Sequence, residues 1–187
     1  MTGWILFTLI ILFFLCMIFI YNRLVSLRNE VKAAWKQIDV QLKRRHDLIP
    51  NLVTVVKGYM EFERNTLERV ISARAKAMSA MRIPEKAMTE DRLTQALGGL
   101  FAVIENYPNL KSNENVMELQ EELTSTENRI SFARQFYNDL VASYRTKLGI
   151  FPDNIIASAF GFEKEDYYSI EEADREVPVA HITIGTT

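Results

Sequence analysis

Chemistry in this chain would have to come from very few residues. The only histidines are His46 and His181, and the residues three before them are Lys43 and Pro178. A di-iron helical bundle needs inward carboxylates together with two Glu-x-x-His pairs, so a centre of that kind is excluded and no cofactor is expected. The lone cysteine, Cys16, lies inside an apolar run, which leaves no disulfide framework and no thiolate cluster and fits a reducing compartment. There is no Walker loop, no Rossmann fingerprint, no Gly-x-Ser-x-Gly elbow and no catalytic cysteine with partners, so no enzyme activity and no small-molecule substrate are expected. One polar constellation remains, made of Asp39, Arg45, Asp47, Glu127, Arg134 and Asn138. If these meet across facing helices, their expected role is an ion-pair layer that fixes helix register rather than acid or base chemistry.

The elements that must position them are helical. Seven Gly and five Pro in 187 residues, among abundant Leu, Ala, Glu, Lys, Arg, Met and Gln, favour helix almost throughout. Residues 4–21 are apolar or aromatic except Thr8, long enough at about 1.5 Å per residue to cross most of a bilayer core. Trp4 and Tyr21 bracket this expected transmembrane helix, Asn22 and Arg23 end it, and Trp4, Tyr21, Arg23 and Arg28 are the expected membrane-interface residues. A cleaved signal peptide fits poorly, because no Lys or Arg precedes the apolar core and no small-residue cleavage site follows it. Residues 22–45 carry seven Lys and Arg against Glu30 and Asp39, whereas the N-terminal flank carries none. The lysine and arginine bias predicts an N-terminus outside and a domain in the cytoplasm, at the inner membrane. A net charge of -2 gives no reason to expect nucleic acid.

Past the membrane, Leu24, Val31, Ile38 and Arg45 repeat every seven residues, with Arg28, Trp35, Leu42 and Ile49 four further on. A tight turn is expected at His46 and Asp47, with Pro50 in the first turn of a second helix; the alternative is one long helix kinked at Pro50. That second helix would run over residues 48–82, ended by Ile83 and Pro84. Returning antiparallel, it would bring Arg74, Lys76, Met78, Met81 and Arg82 to the membrane surface near Asn22 as a contact surface. Thr89 is expected to cap a third helix ending at Tyr107, in which Gly98 and Gly99 serve close helix packing. Asn113 would cap a fourth, carrying the clearest heptad in the chain: Val116, Leu123, Ile130, Tyr137 and Tyr144, with Leu119, Thr126, Ala133 and Leu140 beside them. Trp35 and Ile130 should therefore be buried. After Gly149, the residues Phe151, Ile155, Ile156, Phe160 and Phe162 suggest a short helical plug at one end of the bundle.

Several stretches carry a family resemblance: YNRLVSLRNEVKAAWKQIDVQLKRRHDLIPNLV, VKGYMEFE, LGGLFAVIENYPNLKSNENV, LQEELTSTENRISFARQFYNDLV and FPDNIIASAFGF. Over roughly residues 4–162 the chain resembles the LemA family of bacterial membrane-anchored proteins. The resemblance implies an all-α protein in which one N-terminal transmembrane helix continues into an up-and-down antiparallel four-helix bundle in the cytoplasm. It supplies no catalytic residue. In the tail a final Pro-Val pair matches at Pro178 and Val179, but the aromatic ending of the family is replaced by residues 181–187.

The expected organisation is a membrane helix over residues 4–21, a bundle over 22–162 and a flexible acidic tail over 163–187, which doubles as a docking peptide if it binds a partner. Two function classes remain. In the first, the bundle is a scaffold for partner proteins or further copies of itself at the membrane; in the second, it is a membrane-surface module that gathers anionic lipid. The first is the expectation.

Overall fold

The computed structural model describes residues 2–60 and 63–169. Among them every regular element is a helix: α1 (Thr2–Lys57), α2 (Arg64–Ser79), α3 (Ile83–Ile104), α4 (Pro108–Lys111), α5 (Glu114–Gly149) and α6 (Asp153–Ala159). The apolar run opens α1, whose residues 4–15 are bare to the surroundings, and α1 is the one described helix long and apolar enough to cross a membrane.

The turn expected at His46 and Asp47 is absent, because α1 runs through Pro50 to Lys57 as one helix of 56 residues. A proline inside a helix has no N–H for the carbonyl four residues back, here that of His46. That carbonyl is not orphaned. Arg74 of α2 donates its Nε hydrogen to it at 2.8 Å. The antiparallel neighbour that a turn was expected to supply comes instead from α5, itself 36 residues long. Arg44 pairs with Glu122 and Trp35 stacks on Tyr137, so rising numbers on α1 meet falling numbers on α5.

The second helix is accordingly short. Residues 48–57 belong to α1, and α2 and α3 form a hairpin on the distal half of α1. Pro84, expected to end a helix, opens α3 instead, since a first-turn residue needs no N–H partner inside the helix. Thr89 does not cap. Its hydroxyl donates back to the Glu85 and Lys86 carbonyls at 2.9 and 3.2 Å within α3. Asn113 does cap α5, accepting from the Val116 amide at 3.3 Å. Gly98 and Gly99 are exposed, and a Cβ on either would meet nothing within 4 Å, so helix packing does not explain the pair.

Both heptads point inward. Leu24, Val31, Ile38, Leu42 and Ile49 of α1 and Val116, Leu123, Ile130, Tyr137 and Tyr144 of α5 are buried, while Trp35 is half-buried. One core cluster joins Ile49, Leu52 and Val56 to Val70 of α2, Leu93, Leu97 and Leu100 of α3, and Leu123 of α5. A second, nearer the apolar run, joins Val31, Ala34 and Ile38 to Ile130, Val141 and Tyr144. Tyr168 lies in that second cluster, which corrects the expectation of a flexible segment from residue 163. Residues 163–169 are tied down: Tyr137 donates to the Asp166 carbonyl, Arg145 to the Glu165 carbonyl, and Asn138 bonds both the N–H and the C=O of Tyr168. The remainder of the expected tail, with its docking peptide, lies outside the described residues.

Replacing Arg74 by Met should cost about 1 to 3 kcal/mol, because the His46 carbonyl loses its donor. In a Pro50→Ala background the alanine N–H supplies that donor, and the same change should become nearly neutral. Urea unfolding of the full chain in detergent, followed by circular dichroism for both single variants and the double variant, checks the coupling.

Candidate functional site: a buried polar layer and exposed helical surfaces

Where the two core clusters meet, α1 places Arg45 and His46 side by side on its inward face. Arg45 occupies the heptad position after Leu24, Val31 and Ile38, so its guanidinium is carried inward and left 2% exposed. It stands between two carboxylates, 3.0 Å from Glu127 of α5 and 3.5 Å from Glu90 of α3. Its Nη2 also donates to the Thr94 hydroxyl at 2.7 Å, and that hydroxyl donates to the Glu90 carbonyl. Glu90 is fully enclosed, and its other carboxylate oxygen lies 2.7 Å from His46 Nε2. Burial lowers the Arg45 pKa, and Glu127 and Glu90 oppose that shift. Charges this deeply placed persist because each has an opposite charge within reach.

Of the residues expected in the layer, only Arg45 and Glu127 pair with each other. Asp39 pairs with Lys86 of α3 at 2.9 Å, and that ammonium sits 5.4 Å over the Trp35 ring. Arg134 stacks 4.8 Å over the Tyr168 ring, and Asn138 holds the Tyr168 backbone. Asp47 is exposed and takes no part. The residues missed were His46, Glu90, Thr94 and Tyr168. Glu90 was traceable, since it continues the buried stripe of Leu93, Leu97, Leu100 and Ile104 at spacings of three and four. Starting α3 at Thr89 had placed Glu90 in a solvated first turn.

Arg45, His46 and Glu90 line none of the principal surface grooves. Three members of the layer are buried, and the Glu127 side chain, 34% exposed, forms its outer edge. Burial also acts on Tyr168, pushing its hydroxyl up to about 12 against the opposing pull of Arg134. Tyr137 is likewise pushed up to about 12, by burial first and then by Glu165 and Asp166.

The surface expected near Asn22 is elsewhere. Arg74 lies beside His46, and Ile83, just past the α2–α3 turn, packs on the cluster that holds Val31 and Ala34. Lys86, three residues on, pairs with Asp39 and covers Trp35, a level roughly 20 Å along α1 from Asn22. Lys76, Met78, Met81 and Arg82 are exposed on this part of the hairpin. At the two ends of the apolar run and just past it, Trp4 and Arg23 are exposed, the Tyr21 ring meets Phe160 and Phe162 at 4.9 and 5.7 Å, and Arg28 covers the Phe162 ring at 5.1 Å.

A separate surface lies between α1 and α5. Val40, Phe132 and Phe136 are 63%, 74% and 50% exposed. With Lys36, Gln37 and Arg129 they line an open groove of about 700 Å³.

Arg45→Leu should cost about 3 to 5 kcal/mol, because Glu90 keeps its burial and loses its cation, and adding Glu90→Leu should recover most of the loss in urea unfolding. Alkaline pH tests the tyrosine. With a folded pKa near 12 against an ordinary 10, the contribution of Tyr168 is complete below pH 10 and is lost as pH rises through 12. No described residue meets its hydroxyl with full hydrogen-bond geometry, although the Arg134 guanidinium lies beside it. Tyr168→Phe should therefore be close to neutral at pH 7 and flatten the fall in stability between about pH 10 and 12, leaving the part due to Tyr137.

Comparison with known proteins gives the chain its relatives. It is 24% identical over 179 residues to magnetosome protein MamQ 2 of Paramagnetospirillum magneticum strain AMB-1, a match covering 82% of this chain and 66% of that protein. It is 27% identical over 170 residues to protein LemA of Metamycoplasma hominis, covering 86% of this chain and 75% of the relative. Magnetosome protein MamQ of Magnetospirillum gryphiswaldense is 22% identical over 174 residues, covering 79% and 64%. The chain thus spans just under two thirds of the length of its magnetosome relatives. The sequence model of the LemA family matches residues 34–181, most of the chain beyond the apolar run, and the chain belongs to the LemA family.

Proposed function

We propose that this protein is a single-pass scaffold of the cytoplasmic membrane, without catalytic activity, whose helices α1, α2, α3 and α5 work as one antiparallel bundle. Its α1–α5 groove receives a helix of a partner protein or of a second copy. The apolar run of α1 is the anchor, and the lysines and arginines that follow it hold the bundle in the cytoplasm. The groove carries the reading. Its apolar floor of Val40, Phe132 and Phe136 is left bare between two long helices and rimmed by Lys36 and Arg129, the arrangement by which an amphipathic helix is recognised. The enclosure of Glu90 between Arg45 and His46 favours a register role for these buried groups. Kinship with LemA and MamQ fits a membrane-associated helical protein.

A membrane-surface module is the second reading, favoured by one observation. Ile155 and Phe160 in and beside α6 are exposed next to Tyr21, at the end of the anchor.

Changing Phe132 and Phe136 together to Ser removes exposed side chains, so helicity and melting should stay as they are. Particle size in mild detergent, and the bands captured by cross-linking in the native membrane, should both shrink relative to the unaltered chain. Unchanged size together with unchanged cross-links would refute the groove as the contact.

A further inference from the structure

The segment from Ile150 to Phe162 was expected to plug one end of the bundle, yet only part of it turns inward. Ala157, with Ile156 and Phe162 packed beside it, closes over Ile20 and Leu24 of α1. Gly161 makes this return possible. At a φ of 66°, a region open to glycine at little cost, it lets the Phe162 amide reach back to the Ala157 carbonyl at 2.9 Å. The other large side chains stay out: Ile150, Phe151, Ile155 and Phe160 are 40%, 78%, 56% and 53% exposed.

The level at which this happens decides what covers them. Ile20 belongs to the apolar run itself, and it is only 8% exposed because α6 lies on it, while its neighbours Ile18 and Phe19 remain bare. Tyr21, the aromatic residue that closes the run, packs against Phe160. The first charged residue, Arg23, follows two positions later and is exposed. So α6 sits where the anchor leaves the hydrocarbon, and its bare side chains continue the lipid-facing surface of α1 sideways. Aromatic and aliphatic side chains held at headgroup depth, with a cation beside them, suit the boundary of a bilayer and are costly in water.

We infer that α6 and its flanks form a second membrane contact, an interfacial foot in which Phe151, Ile155 and Phe160 enter the headgroup boundary of the bilayer beside the anchor. The inference rests on the anchor reading of α1. With two points of attachment instead of one, the bundle cannot swing freely about residue 22, and the α1–α5 groove is presented at a set angle to the membrane. Phe162 and Arg28 act as the hinge plate, since the guanidinium stacked on the ring locks the foot to α1.

Spin labels test this in the full chain reconstituted into phosphatidylcholine–phosphatidylglycerol vesicles. In a Cys16→Ser background, single labels are placed through Phe151→Cys, Ile155→Cys and Phe160→Cys, with Leu12→Cys as the reference for the anchor and Asp47→Cys as the reference for water. The preference for oxygen over a water-soluble nickel complex as relaxant should be several-fold higher at all three α6 sites than at residue 47, and lower than at residue 12. Values at the α6 sites equal to those at residue 47, with residue 12 still lipid-shielded, overturn the foot and leave the anchor standing. Protection from both relaxants means that protein, such as a second copy, covers the face, and also overturns it. Nickel access at residue 12 removes the anchor and the foot together.

Discussion

A proline in the middle of a helix leaves one carbonyl without a donor, and the architecture of this protein depends on how that vacancy at His46 is filled. The Nε hydrogen of Arg74 fills it. The ring of the same histidine meets Glu90 of α3, so one residue of α1 is tied through its backbone to α2 and through its side chain to α3. Both arms of the helical hairpin are thereby registered against a helix that never turns. The long rod that results places the distal core of Leu52, Val56, Leu67 and Leu100 far from the apolar run, with α5 running the whole way back.

The polar layer is a consequence of the same geometry. Arg45 follows Ile38 on the heptad and is carried into the core whether or not charge is welcome there. Burial of a guanidinium is tolerable only with carboxylates at hand, and α3 and α5 each deliver one. Such a layer adds little to stability compared with apolar residues of the same volume, but it penalises any slip of one helix past another, since a slip would strand a charge. Towards the apolar run from it, the segment after α6 runs back along α5 and seats Tyr168 against Trp35 and Arg134. Backbone bonds from Asn138, Tyr137 and Arg145 hold it there. The helical packing is closed near the apolar run by the chain's own return, while the α1–α5 groove on its flank stays open.

By itself the sequence determined the helical class, the apolar run, the α1 and α5 heptads, the Asn113 cap and the family resemblance. Each of these is a local pattern, in which apolar spacing or a single capping side chain is sufficient cause. It also put Arg45 and Glu127 in one layer, because both sit among apolar heptad residues. It favoured a turn at His46 and Asp47 with Pro50 opening a new helix, since the unbroken helix depends on a donor 24 positions further on, at Arg74. It misplaced the start of α3, because Pro84 is as compatible with a beginning as with an end. It assigned Tyr168 to a flexible tail, flanked as that residue is by acidic and polar neighbours. Only the tertiary structure decided that α1 is unbroken, that Glu90 and His46 complete the layer, that residues 163–169 are strapped to α5, and that half of the α6 segment faces outward beside Tyr21. Those outcomes turn on which surfaces meet across the chain, and a side chain's partner at long range leaves no periodic trace in the residues around it.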